Sequence, residues 1–484
     1  MVNGVDLPSL RRSAALLQAS LPLRLGGLAV GGHSRDAPAC YCASVIAVWP
    51  RLQHASPLLL ASQSLATSAL ATAATFRHHY AAIRDTRDTV AAQYASLAAP
   101  RLHSPVDKSE TAGFHPHKLP AAAALPPVDM LYVPTNKDFK LPARAVLAGV
   151  AHHATWLEVR RQLTAVDAAR LTVNESDVPN RELARLVAVS QPLASAWLQE
   201  TPYRPAARQL SAAWRVAVQR RLGLYLSDLV PALSAAAEAG ISFLVSKKAT
   251  TPADPLGDSI ANSVDFHPRH DAPLRALYDA LSAISIGKVI LGDKNDKDYH
   301  KLSFYKSFNA THVPDLIRPG GSDSGKDEVY EFKVPSPLTK TATSHGATFA
   351  FGNTEHRMLK NIFGTRASGS TSDPRFDPLT GRGHIKHSPG DYRDAVNKGH
   401  VVFPFILEAL GGVGRHGIAL LKRLARDADS PQGRDGTAYH RSCRSFFPHH
   451  ARRIVRGAVI EDATSIHAGI RSAKMRAASR RVTA

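Results

Sequence analysis

The chain has 484 residues, 44% of them apolar, and its 60 Lys and Arg against 40 Asp and Glu give a net charge of +20. That length holds two or three domains of about 100–200 residues each, and the charge favours a polyanionic partner, nucleic acid first, over an inert basic surface. Cys40, Cys42 and Cys443 are the only cysteines. An odd number, with two separated by one residue, excludes a disulfide framework and zinc-finger spacing and implies a reducing compartment.

Residues 1–125 are rich in Ala, Leu and Ser and read as an Ala-rich helical, low-order region ending in a linker over 103–127. The first 27 residues are Arg- and Ser-bearing and poor in acids, so organellar targeting stands as one reading. The stretch 57–76 is uncharged for about the length of a membrane span. Its Ser, Thr and Ala content and Gln63 predict an Ala-rich helix in water, with no membrane partner.

Residues 126–250 are predicted to form a helical domain, because apolar residues recur at three- and four-residue spacing through VLAGVAHHATWLEVRRQL, RELARLVAVS and QLSAAWRVAVQRRLGLYL. Gly223 is the expected stop of the last of these. Trp197 and Trp214 are expected as core anchors. Arg215, Arg220 and Arg221 suit either phosphate or a solvated face.

Residues 265–428 read as an α/β domain, a mixed sheet flanked by helices. Asp271 is the expected N-cap of a helix to about residue 285, with Leu274, Leu277, Leu281 and Ile284 on one stripe. An apolar start suited to a strand follows, then a basic loop. There Lys294, Lys297, Lys301 and Lys306, among Tyr299, Phe304 and Tyr305, suit contact with phosphates and bases, or form a solvated loop. HVPDLI is a predicted short strand over 313–317, with Arg318 counted among the nucleic-acid contacts, and VYEFKV a second strand over 329–334. Side chains alternate along a strand, so Val329, Glu331 and Lys333 share one face and Tyr330, Phe332 and Val334 the other. If the two strands pair, Asp315 comes beside Glu331. Two carboxylates supply hard oxygen ligands for Mg²⁺ or Mn²⁺, and Lys333 points to the same place. The bland alternative is a surface hairpin with a Glu–Lys pair.

Between those strands, GGSDSGKD nearly matches a phosphate-binding loop. Asp327 replaces the required hydroxyl and a strand, not a helix, follows, so it reads as a turn. His384 and His387 have metal-pair spacing but no further ligands. Asp391 is expected to cap a short helix that Gly399 ends, HVVFPFILE to be a buried strand, and GIALLKRLARDA a closing amphipathic helix. Residues 429–484 read as a flexible basic tail with salt-sensitive affinity for nucleic acid.

Pro314-Asp315, fifteen residues, then Glu331-Phe332-Lys333 resembles the PD-(D/E)XK motif of the restriction-endonuclease-like nucleases. The flanks LPLRLGGLAVGGHSRDAPACYCAS and SQPLASAWLQETPYRPAARQLSAAWRVAVQRRLGL are similar to segments following the reverse transcriptase in non-LTR retrotransposon proteins of algae and protists. No Tyr/Phe-x-Asp-Asp polymerase motif occurs in the chain. Over 253–281, Gly257-Asp258 and Arg269-His270 match the family, but Ser259 stands where it has His and cysteine is missing. No zinc knuckle is therefore expected, and His267 and His270 are left to local hydrogen bonding or nucleic-acid contact. The resemblance implies a restriction-endonuclease-like fold and a Mg²⁺- or Mn²⁺-dependent endodeoxyribonuclease, with Asp315 and Glu331 as metal ligands and Lys333 catalytic. Asp279 is a further carboxylate candidate or a plain surface acid, and Tyr392 and Lys398 match positions beside the active site, Lys398 as a phosphate contact. DNA is the implied partner, with RNA the alternative, and the nucleus the implied location. A catalytically inactive binding remnant and a DNA-repair or junction nuclease of the same fold remain open alternatives.

Overall fold

The structure, a computed structural model, describes residues 6–30, 36–42, 75, 78–93, 143–172, 178, 180–199, 211–245, 252–263, 267–284, 288–292, 314–322, 325–339, 358–359, 361–365, 388–389, 391–392, 395–396, 398–429 and 443–483. They fall into two compact units, one spanning Asp6–Val166 and one running from Asp167. The described part is helix-rich with a small mixed sheet, so broadly α/β.

In the first unit, α1 (Leu7–Ala19) begins where the Asp6 carboxylate accepts the Ser9 amide at 3.3 Å, satisfying an N-terminal donor that has no helical partner. Gly26, at φ 85°, turns the chain after it, and the Gln18 side-chain amide donates to the Gly26 carbonyl at 2.9 Å. Residues 78–93 are helical, and α2 (Ala143–Thr172) carries the chain across the boundary. Apart from Thr75, the uncharged stretch 57–76 lies outside the described residues, as does the linker 103–127. Among the described residues no helix is long and apolar enough to cross a membrane.

The second unit continues with α3 (Arg181–Val189), α4 (Ser211–Leu222), α5 (Val230–Glu238), α6 (Asp258–Ser263) and α7 (His267–Ile284). Gly223 ends α4 with φ 69°, a left-handed turn that glycine adopts without a Cβ penalty. Trp197 is fully buried, while Trp214 packs edge-on against it at 4.9 Å and stays 38% exposed. Arg220 and Arg221 are buried. Arg220 pairs with Asp462, and Arg221 donates to the Ala194 carbonyl at 3.0 Å and the Ser195 hydroxyl at 2.6 Å, so both are spent on the protein itself. Arg215 is the exposed member of the three, 3.5 Å from Asp228.

The sheet comprises β1 (Ile290–Leu291), β2 (Leu316–Arg318), β3 (Glu328–Lys333) and, after a separate small pair β4 (Gly364–Thr365) and β5 (Ser388–Pro389), the strand β6 (Val401–Ile406). Its order is β1-β2-β3-β6, antiparallel at the first two junctions and parallel at the third. Pro404 lies within β6 because that strand forms the sheet edge, where a missing N–H costs no ladder bond. Strand alternation separates two cores. Leu316, Tyr330, Phe332, Phe403 and Phe405 belong to the large core shared with α7 and with two later helices, α8 (Arg415–Asp429) and α9 (Cys443–Thr483). Ile317, Val329 and Val402 join Ile290, Ile362, Phe363, Tyr392 and Ala395 in a smaller core on the opposite face. Phe332 stacks on Phe405 across the β3–β6 pair at 5.0 Å, and Tyr330 on Phe403 at 5.4 Å, aromatic cross-strand pairs that fix the register.

Two expectations change and a third holds. The helix expected from Asp271 starts four residues earlier, at His267, because Pro268 is tolerated in a first helical turn. Asp271 therefore sits within α7 instead of capping it. The described ends of GGSDSGKD form the expected turn, in which the Ser322 amide donates to the Lys326 carbonyl at 3.0 Å and the Lys326 amide to the Ser322 hydroxyl at 2.9 Å. The largest change is at the C-terminus. Residues expected as a flexible basic tail form the 41-residue helix α9. Phe446, Ile454, Val455, Ala458, Val459, Ala463, Ile466, Ile470 and Ala473 make a continuous buried stripe along it, packed against α7, α4 and α8. Asp462 on the same helix receives Arg220 of α4 and, at 3.1 Å, Arg269 of α7, so even its charge belongs to the interior.

Candidate active site

Antiparallel pairing of β2 with β3 aligns Leu316 with Tyr330 and Ile317 with Val329, so the next residue outward, Asp315, stands opposite Glu331. The junction is tied directly: the Phe332 amide donates to Asp315 Oδ2 at 2.7 Å. Glu331 is 1% exposed. Its Oε2 accepts the Tyr392 hydroxyl, and its Oε1 pairs with the Lys333 ammonium, which lies two residues along the same strand face. Lys333 is 36% exposed, so the cluster opens to solvent on the lysine side.

A group on α7 completes the cluster. The His270 ring places Nε2 3.1 Å from the Phe332 carbonyl and 3.5 Å from Asp315 Oδ1, and Nδ1 3.0 Å from Asp271 Oδ1.

The charges bias one another. Burial raises the Asp315 carboxyl above the usual carboxylate range, and the facing Glu331 carboxylate raises it further, against His270 and Lys333. Burial opposes charge on Lys333, but Glu331 and Asp315 outweigh it and hold the ammonium above its ordinary value, with Asp391 adding to them. Tyr392 is pushed well up by burial and by Glu331, so its hydroxyl remains a donor. For His270, burial favours the neutral ring, yet Asp315, Asp271 and the Phe332 carbonyl together carry it up to about 9.

Of the remaining expected contacts, Lys294, Lys297, Lys301 and Lys306 lie outside the described residues, as do His384 and His387. The Arg318 guanidinium is engaged within the protein. It pairs at 3.2 Å with the buried Glu328, which also takes Arg423 and the Tyr330 hydroxyl. Asp279 pairs at 2.7 Å with Arg453 and is a surface acid. Lys398 is exposed beside Gly399, which at φ 80° follows the helical residues 395–396 and turns the chain, its amide donating to the Val396 carbonyl at 3.0 Å. The arrangement of His270 against Asp315 was not legible in advance, since its bond to the Phe332 carbonyl spans 62 residues and no local spacing encodes it.

No protein-family profile, curated protein or solved structure matches this chain. The chemistry of the cluster therefore has to be judged on its own donors. Among the described residues no group of three or more His, Cys, Asp or Glu is arranged to hold a metal ion. Asp315 and Glu331 face each other as two oxygen donors of the hard type that Mg²⁺ or Mn²⁺ takes. Glu331 is buried and Asp315 half-buried, and the Asp315 carboxyl is raised first by burial and then by Glu331, an imbalance that a divalent cation would offset.

Proposed function

We propose that the second unit is a metal-dependent endonuclease of restriction-endonuclease-like fold that hydrolyses DNA phosphodiester bonds. The observation that carries this reading is the placement of Asp315 opposite Glu331 with Lys333 on the same face, in a strongly basic chain. The motif resemblance adds a retroelement origin and, with it, a nuclear setting. DNA is the substrate class, through backbone contacts that neutralise phosphate charge.

Asp315 and Glu331 would hold Mg²⁺ or Mn²⁺, which when bound supplies a water of lowered pKa and a charge against the phosphate. Lys333 is kept protonated by both carboxylates, so its part is to steady negative charge developing on the phosphate and not to accept a proton. Tyr392 fixes Glu331 through its hydroxyl and, being buried, keeps water from that side of the carboxylate.

The test is nicking of supercoiled plasmid with Mg²⁺ or Mn²⁺ by the full chain and by Asp315→Ala and Lys333→Ala. Metal-dependent cleavage lost in both variants is the expected result. A self-compensated cluster, in which Lys333 already neutralises Glu331, also suits a binding protein without turnover. Salt-sensitive DNA binding with no cleavage would select that reading instead.

A further inference from the structure

The Phe332 peptide unit is held at both ends. Its N–H donates to Asp315 Oδ2 at 2.7 Å, and its carbonyl lies 3.1 Å from His270 Nε2. The same ring nitrogen is 3.5 Å from Asp315 Oδ1, closing a loop of carboxylate, peptide and imidazole across β2, β3 and α7. A carbonyl and a carboxylate can only accept, so Nε2 carries a hydrogen. At 3.1 Å the carbonyl takes the hydrogen bond, and at 3.5 Å the carboxylate contact is charge attraction. On its other side the ring is fixed by Asp271 at 3.0 Å and by an edge-on contact with the Phe332 ring at 5.8 Å. Four contacts therefore determine where this imidazole sits, and its Nε2 side faces Asp315 and the Phe332 carbonyl.

We infer that His270 is a positioning residue for Asp315: it locks α7 to the Phe332 peptide and so fixes the carboxylate in register with Glu331. The inference deepens the nuclease reading and rests on it for what Asp315 does. A carboxylate held by one backbone amide alone can rotate about its last torsion. With Oδ2 on the amide and Oδ1 drawn toward the ring, both oxygens are placed. Partners that orient a metal-binding carboxylate typically alter metal affinity or activity by about 10–100-fold when removed.

The full chain, His270→Ala and His270→Gln are compared in two measurements. One is Mn²⁺ affinity by titration calorimetry without DNA, and the other is kcat and KM for plasmid nicking, with folding followed by circular dichroism. In His270→Ala, Mn²⁺ affinity and kcat are each expected to fall about 10–100-fold. KM should hold its wild-type value, because the ring nitrogens are already engaged by Asp271, the Phe332 carbonyl and Asp315. His270→Gln should recover part of both, since its amide can still donate to the Phe332 carbonyl. Wild-type Mn²⁺ affinity and kcat in folded His270→Ala would overturn the inference, as would losses that merely track the unfolded fraction. If the unmutated chain binds Mn²⁺ yet cleaves nothing, the nuclease reading fails and the Mn²⁺ comparison alone decides the role of His270. If it does neither, both fall.

Discussion

Where α3, α4, α6, α7 and α9 converge, Arg181, Arg185 and Arg220 are buried with Glu182, Asp258 and Asp462, and the half-buried Arg269 joins them; on the sheet, by contrast, two carboxylates face each other. Each of these three acids joins two arginines. Glu182 takes Arg181 at 2.6 Å and Arg185 at 2.8 Å, Asp258 takes Arg181 at 2.9 Å with Arg220 at 3.6 Å, and Asp462 takes Arg220 and Arg269. Burial opposes the charge on Arg181, but Asp258 and Glu182 raise it well above its ordinary value. The sheet cluster instead sets Asp315 against Glu331 and leaves the Asp315 carboxyl pushed up. Buried ion networks of the first kind hold elements together. A like-charge pair that Lys333 and His270 offset only in part, open to solvent on the lysine side, is the kind of perturbed group that cation-binding and catalytic sites use.

Mutating one acid in each region separates the two roles. Asp315→Asn is expected to cut nicking activity by about 10³-fold or more, in the range of a lost transition-state charge contact. Its melting temperature should hold or rise, because the change removes repulsion from Glu331 while Asn can still accept the Phe332 amide. Asp462→Asn should do the reverse. Breaking a buried pair from one side typically costs about 3–5 kcal/mol, read here by urea denaturation, with the nicking rate of the folded fraction unchanged. A loss below about 1 kcal/mol would mean that Arg220 and Arg269 find other partners, and the contrast between the regions would dissolve.

pH sharpens the same contrast, since arginines keep their charge across the range where histidine titrates. Burial of His270 opposes its protonation, and Asp315, Asp271 and the Phe332 carbonyl overcome that, raising its pKa from 6.5 to about 9. A raised pKa means that the folded state holds the proton more tightly. The added stability is therefore full below about pH 6.5 and disappears as pH rises through about 9. The shift corresponds to about 3 kcal/mol. The difference in unfolding free energy between the unmutated chain and His270→Gln should thus shrink by up to that amount between pH 6 and pH 9.5. A flat difference would show that the ring is neutral in the folded state and that its contact with Asp315 carries no charge.

Much of the sheet was readable because strand alternation is a local property. VYEFKV assigns Tyr330 and Phe332 to one face and Val329, Glu331 and Lys333 to the other, and the two cores divide that way. The opposition of Asp315 and Glu331 needed only that neighbouring strands pair. The last helix was hidden by its arginines, which mask an Ile, Val and Ala stripe from 454 to 473 that is plain once the charged face is set aside. The acid partners of Arg318 and Arg220 were hidden for a related reason. A basic residue in a basic chain looks available to phosphate until its acid, ten residues away for Arg318 and 242 for Arg220, is found. His270 and its carbonyl partner likewise belong to segments that only the tertiary fold brings together.

Asp279 offers the smallest expected effect. It lies on α7, the helix that carries His270, and it was a candidate third carboxylate for the metal. In the structure its partner is Arg453 of α9 at 2.7 Å, with the two side chains 47% and 36% exposed. Exposed pairs of this kind contribute under about 1 kcal/mol, because water screens them and two long side chains lose freedom in forming them. Asp279→Ala should therefore move the denaturation midpoint slightly and leave nicking and Mn²⁺ affinity at wild-type values. A loss of cleavage in this variant would carry the metal site onto α7. His270 would then act between two carboxylates of the site instead of at its margin, and the boundary between structural and functional acids would have to be redrawn along that helix.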